Sequence, residues 1–161
     1  MIRYLKIILV VFVGLQGFSY FAGNIANWEE AKGFVAYVLS LQDHTVYPND
    51  IVPAITSPAL VTPALIAIVA GEFLVGAVSM LGALKMLGAA GKPADQFNAA
   101  KTLAILGCGV GVLLWFGLFT VVGVGFFGMW QTALGDGSMD GAFVYFMSSG
   151  LVMVFVNMKD D

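Results

Sequence analysis

The chain has 161 residues, of which 60% are hydrophobic and 11% charged, and its formal net charge is −3. Soluble domains usually carry about a quarter charged residues, so this composition excludes an ordinary soluble protein and predicts an integral membrane protein. The negative charge argues against a nucleic-acid partner, which requires a basic surface. A single cysteine, Cys108, excludes an intrachain disulfide and a Cys-rich metal site.

Four continuously apolar runs predict four transmembrane α-helices. A spanning helix needs about 20 residues, and the runs lack the alternation of polar and apolar residues found in barrel strands. We therefore expect an all-α integral membrane protein with a single domain over residues 1–161. The predicted spans cover about residues 5–23, 60–84, 102–127 and 142–156. The first run is longer than the core of a typical secretory signal, so we interpret it as a retained helix.

Basic residues predict the orientation of the four spans. Six of the seven basic residues lie on the same side of the predicted spans: Arg3, Lys6, Lys85, Lys92, Lys101 and Lys159. Only Lys32 falls on the other side. Because cytoplasmic loops are enriched in Lys and Arg, both termini are predicted to be cytoplasmic.

The outer segment between the first two spans, residues 24–59, is too long to be a plain connection. Asn27 and Glu30 have the spacing of a capping box, and apolar residues then recur at helical spacing. We expect an amphipathic helix over about residues 28–42, lying along the outer membrane interface or over the mouth of the bundle. Three prolines follow, at Pro48, Pro53 and Pro58, and favour an extended segment.

Glu72 is the first functional candidate, because it lies near the middle of the second apolar run. An ionised carboxylate at the centre of a bilayer costs about 2.5–3.5 kcal/mol on insertion scales, so we expect it to face protein or water. Its candidate hydrogen-bond partners are Gln16, Ser19, Ser79 and Thr120. A structural acid that joins helices is favoured over a proton carrier or cation ligand, because a proton path usually needs a chain of ionisable groups.

The remaining polar and aromatic residues indicate little chemistry. Trp28, Tyr47 and Trp130 fall near predicted interfaces and are interpreted as interface anchors. The only histidine, His44, is insufficient for a dedicated zinc site, so neither a metal nor another cofactor is expected. No motif of a known catalytic class is present, and we expect a protein that is not an enzyme.

Several short segments carry a family resemblance over nearly the whole chain. They include Tyr47-Pro48, Ala54-Ile55-Thr56-Ser57-Pro58, Glu72, Phe97-Asn98-Ala99-Ala100-Lys101, Leu114-Trp115-Phe116 and Met129-Trp130-Gln131. With these the chain resembles a bacterial family of predicted small integral membrane proteins, a domain of unknown function. Where members commonly have an aromatic residue and an arginine, this chain has Val52-Pro53. The resemblance implies four helices in the bacterial inner (cytoplasmic) membrane and no established activity.

The leading functional hypothesis is an accessory or stabilising subunit of a larger membrane complex. Its expected partners are membrane lipids and other integral membrane subunits, because glycine-rich and aromatic helix faces are plentiful while catalytic groups are missing. Two alternatives stay open. One is a small transporter or channel component that uses Glu72, and the other is a lipid-binding envelope protein whose outer helix engages head groups.

The charge distribution makes a direct prediction about topology. Reporters fused after Asn49 and after Asp136 should be active in the outer compartment, and a reporter fused after Gly91 should be active in the cytoplasm. The reverse pattern of activities would show that the orientation is inverted.

Overall fold

The computed structural model describes residues 1–161, and every regular element is helical. The helices are α1 (Ile2–Ala26), α2 (Trp28–Leu39), α3 (Pro58–Ala89), α4 (Ala94–Ala100), α5 (Thr102–Val112) and α6 (Ala133–Asn157). A π-helix (Leu113–Phe126) continues α5, and a 3-10 turn (Met129–Gln131) precedes α6. Four stretches are long and apolar enough to cross a membrane: α1, α3, Ala94–Phe126 and α6. The predicted all-α, four-span class is confirmed.

The last spanning helix begins nine residues earlier than the sequence indicated, at Ala133 instead of about residue 142. Glycines and acidic residues in this stretch are poor helix formers, so the apolar run alone did not reveal it. The Thr132 hydroxyl caps the helix by accepting a hydrogen bond from the Gly135 amide at 3.1 Å. Gly135 lies directly against the Met129 carbonyl, where a side chain would not fit. Tertiary packing therefore selects a helix that local propensity disfavours.

The outer helix α2 occupies Trp28–Leu39, close to the predicted position, but its start differs from the prediction. Asn27 does not cap it, because its side-chain amide donates to the Gly23 carbonyl at 2.9 Å. The predicted capping box is therefore wrong, and α1 continues to Ala26. Val35 of α2 packs in a cluster with three residues of α3: Val61, Leu65 and Val69. Of the two placements that the sequence left open, the structure has α2 lying over the bundle.

Close contacts between small residues hold the spanning helices together. A Cβ added at Gly17 of α1 would lie 2.6 Å from the Gly76 amide nitrogen of α3. A Cβ added at Gly107 of α5 would lie 2.5 Å from the Ser79 amide nitrogen of α3. Such contacts bring helix backbones close together, which strengthens packing where no hydrophobic effect operates between helices.

Both chain termini meet at one end of the bundle, here called the terminal end; the opposite end is called the loop end. The terminal end holds a buried group of charges, the terminal charge cluster, formed by Lys6, Lys101 and Asp160. These residues are 2%, 2% and 8% exposed. The Lys6 Nζ lies 2.6 Å from Asp160 Oδ2, and Lys101 pairs with the same oxygen. Both ammonium groups also donate to the Met158 carbonyl, at 2.6 and 2.8 Å.

The pKa of Asp160 reflects this environment. Burial alone would raise it, but hydrogen bonds from Lys101 and Lys6, together with their positive charges, outweigh burial and hold the pKa below its ordinary value. Ion pairing therefore stabilises the fold at pH values above the ordinary pKa of a carboxyl group. This stabilisation is lost as the pH falls through the lower pKa that Asp160 has in the folded protein.

Replacing Asp160 with Asn should strongly destabilise the protein, because two buried ammonium groups lose their counter-charge. Breaking a buried ion pair from one side typically costs about 3–5 kcal/mol. Thermal unfolding in detergent measures the effect. Asp161→Asn is the matched control, because Asp161 is exposed and only its backbone carbonyl is used, by Arg3 at 2.8 Å. Equal losses of thermal stability in the two variants would contradict a stabilising role for the terminal charge cluster.

Candidate functional site

Glu72 lies on the inner face of α3 and is 1% exposed. The side-chain amide of Asn24 donates to both of its carboxyl oxygens, at 2.8 Å to Oε1 and 2.9 Å to Oε2. Asn24 belongs to the last turn of α1. The carboxyl group of Glu72 is thus held beside the end of α1, although it lies near the middle of α3 in sequence.

The length of α3 explains this position. α3 has 32 residues, compared with 25 in α1, and its first turns extend beyond α1 to pack under α2. Along α1, Asn24 follows Lys6 by about five turns, or about 27 Å, which approaches the roughly 30 Å thickness of a hydrocarbon core. The Asn24–Glu72 pair therefore lies at the loop end of α1 and about midway along the longer α3.

A cavity of about 240 Å³ adjoins this pair and is called the acidic cavity. Its walls come from α1, α2, α3, the π-helix and α6. Three aromatic rings, those of Tyr20, Trp115 and Tyr145, line it and contact one another. Ring centroids are 4.6 Å apart for Tyr20 and Tyr145, 5.4 Å for Trp115 and Tyr145, and 6.3 Å for Tyr20 and Trp115.

A second space of about 160 Å³, the apolar groove, lies between α2, α3 and the π-helix. Twelve of its thirteen lining residues are hydrophobic, which makes it suited to hydrocarbon. Four residues line both spaces: Phe34, Val35, Ile68 and Phe119. The acidic cavity and the apolar groove are therefore neighbours that share one wall, with a carboxyl group on one side of it and hydrocarbon surface on the other.

The electrostatics of the acidic cavity depend on Glu72 alone. None of the fifteen lining residues is Lys, Arg or His, and Glu72 is the only acidic residue among them. An unpaired carboxylate among apolar side chains is costly, so Glu72 must hold either a proton or a cation. No group of three or more His, Cys, Asp or Glu is placed to hold a metal ion. The site is suited to binding a hydrogen-bonding or cationic group.

Comparison with known families agrees with this architecture. Residues 2–159 match the family described as predicted small integral membrane protein (DUF2165). The chain belongs to this family. No curated protein and no solved structure matches the chain. Membership and the four apolar helices together make it a multi-pass integral membrane protein, and the resemblance recognised in the sequence is confirmed.

In this family member, Glu72 has no hydrogen bond to any of the four partners expected from the sequence. Ser79 is buried about two turns further along α3, and its hydroxyl has no partner. The Thr120 hydroxyl donates to the Trp115 carbonyl at 3.4 Å. On α1, Gln16 is half-buried and Ser19 is exposed. The observed partner is Asn24, which lies beyond the apolar run used to delimit the first span.

The sequence does contain a signal for Asn24. Val13, Gly17, Tyr20 and Asn24 follow one another at offsets of four, seven and eleven residues from the first, which places them on one helical face. Extending this pattern past Gly23 would have brought Asn24 onto the buried face of α1.

The three proposed interface anchors lie at the loop end. Trp28 packs against the cluster that joins α2 to α3. Tyr47 is 61% exposed, and its ring meets that of Trp130 edge-on with centroids 5.2 Å apart. The Tyr47 amide donates to the Gln131 side chain at 2.8 Å. This contact joins the proline-containing segment to the turn before α6. A role for the three aromatic residues in anchoring the protein to lipid stays a prediction.

Removing the amide at position 24 should destabilise the protein more than removing the carboxyl charge. Asn24→Ala leaves the buried carboxyl group without its hydrogen-bond donor, at a cost of about 1–3 kcal/mol, whereas Glu72→Gln keeps an oxygen that accepts from Asn24. Asn27→Ala is the control, because its side chain makes one exposed hydrogen bond. Thermal unfolding in detergent compares the three variants. Equal effects of Asn24→Ala and Asn27→Ala would show that the Asn24–Glu72 pair is energetically unimportant.

Proposed function

We propose that this protein is a membrane-embedded binding protein for an amphiphilic small molecule. The polar group of the ligand occupies the acidic cavity, and its apolar part occupies the apolar groove. The observation that carries this proposal is that the two spaces share four lining side chains, which places Glu72 beside a largely apolar site. Small-molecule sites commonly have this character: concave, mostly apolar, with few polar groups that set the orientation of the ligand.

The walls of the site favour entry from the membrane past α2. Phe34 and Val35 of α2 line both spaces. Val35 is the only buried residue of α2, so this helix is the least firmly packed wall. Elements with few buried apolar contacts open at the lowest free-energy cost.

Packing on the other side of Glu72 favours binding over a channel. Toward the terminal end, Gly17 lies against Gly76 and Gly107 lies against Ser79, with no space for an added Cβ at either glycine. A site closed in this direction is suited to a molecule that enters and leaves from one side. The terminal end is assigned to the cytoplasm, in a bacterial inner membrane, because six of the seven basic residues flank that side of the spans.

An accessory subunit is the second candidate function, favoured by one surface. α6 is the least buried spanning helix, and Phe143 and Phe146 form an aromatic row on it that continues to Phe116 of the π-helix. Centroid separations along this row are 5.4 and 5.2 Å. Native mass spectrometry after extraction in mild detergent tests this function. A stoichiometric protein partner would support it, and an exclusively monomeric species would reject it.

Filling the apolar groove should abolish binding. Ala67 is exposed and lines the groove, so Ala67→Trp places an indole where the apolar part of the ligand would lie. Native mass spectrometry of the unmodified protein should detect a retained small-molecule adduct of defined mass, and Ala67→Trp should lose it.

Ala22→Trp is the matched control for this experiment, because Ala22 is an exposed alanine on α1 that lines neither space. This variant should keep the adduct. Absence of any adduct from the unmodified protein, or its retention by Ala67→Trp, would reject the proposed function.

A further inference from the structure

The acidic cavity combines two features that recognise the same kind of chemical group. One is the Glu72 carboxyl, whose only hydrogen-bond donor within the chain is Asn24. The other is the set of mutually contacting rings of Tyr20, Trp115 and Tyr145. Aromatic faces attract cations electrostatically, most strongly where water is excluded, and aromatic cages bind quaternary ammonium groups in this way.

We infer that the head group bound in the acidic cavity is a monovalent organic ammonium ion carrying an apolar substituent. This inference rests on the proposed function and names the ligand class of the same site. Glu72 supplies the single counter-charge, the cluster of three rings forms one wall beside the ammonium group, and the apolar groove receives the substituent. An ammonium ion is one of the two ways of neutralising Glu72, the other being a proton.

Other head groups fit the observed lining less well. An anion would face Glu72 with no basic residue beside it. A phospholipid would bring a phosphate for which the acidic cavity offers no Lys, Arg or His. Lys32 lines a separate recess on the other side of α2, together with Glu29 and Pro58. Its ammonium group is therefore not available to a phosphate in the acidic cavity.

An inorganic cation is disfavoured by the number of ligands. Ca²⁺ takes six to eight oxygen ligands and Mg²⁺ requires an octahedral set, whereas the acidic cavity offers one carboxyl group and no cluster of three acidic, His or Cys side chains. An organic ammonium ion needs fewer hydrogen bonds, because much of its stabilisation comes from the aromatic faces.

Three probes with the same octyl chain test the inference: octyltrimethylammonium, octylphosphocholine and octanol. The protein is placed in lipid nanodiscs, and binding is followed by fluorescence in a Trp28→Phe/Trp130→Phe variant, which retains only Trp115 of the cavity. Isothermal titration of the unmodified chain repeats each measurement without these substitutions. Octyltrimethylammonium should bind saturably and at least ten-fold more tightly than either of the other probes.

Variants assign this selectivity to the proposed groups. Glu72→Gln should weaken octyltrimethylammonium binding at least ten-fold while leaving octanol binding unchanged. Tyr145→Leu should weaken it several-fold, and Tyr145→Phe, which keeps the ring, should restore it. Asp140→Asn is the matched control for surface charge, because Asp140 is an exposed acid on the same half of α6 that does not line the acidic cavity. The Asp140→Asn variant should bind octyltrimethylammonium with the same affinity as the unmodified protein.

The outcomes separate failure of the inference from failure of the proposed function. Equal binding of octanol and octyltrimethylammonium, with no effect of Glu72→Gln, overturns the ammonium assignment and leaves the amphiphile-binding function standing. Octylphosphocholine binding as tightly as octyltrimethylammonium overturns the exclusion of phosphate-containing head groups. Absence of saturable binding by all three probes rejects both proposals.

Discussion

The unequal lengths of α1 and α3 shape the rest of the structure. α3 has 32 residues and α1 has 25, and the start of α1 is level with the end of α3 at the terminal end. Without α2, the extra length of α3 would leave Val61, Leu65 and Val69 exposed at the loop end. α2 covers these three residues. The acidic cavity arises where these three helices meet the π-helix and α6, and the apolar groove arises where α2 and α3 meet the π-helix.

The two buried carboxyl groups of the bundle differ in whether a positive charge lies beside them. At the terminal end, Asp160 has two ammonium partners, and its backbone amide also donates to Asn98 at 3.0 Å. These ion pairs hold the two ends of the chain together. At the loop end, Glu72 has one neutral partner and adjoins an open space. The proposed binding of a second molecule rests on this lack of a charged partner beside a cavity.

The wide turn of the π-helix contributes to the site from the opposite side. Trp115 and Phe119 lie on it and both line the acidic cavity. π-helical segments are rare and occur often at functional sites. The sequence predicted one transmembrane α-helix over residues 102–127, because apolar composition does not distinguish the hydrogen bonding of an α-helix from that of a π-helix. Register along this helix, and hence which aromatic rings meet Tyr20 and Tyr145, depends on packing against α1 and α6.

The sequence by itself determined the class of protein, the four spans, the outer helix and the burial of Glu72 within the protein. Each of these follows from local hydrophobicity and from the cost of placing charge in hydrocarbon, which are properties of single segments. Only the tertiary structure decided that Asn24 is the partner of Glu72 and that Asp160 pairs with Lys6 and Lys101. These contacts join residues 48 to 154 positions apart. They depend on relative helix lengths and on close approaches between small residues, which no local pattern in the chain encodes.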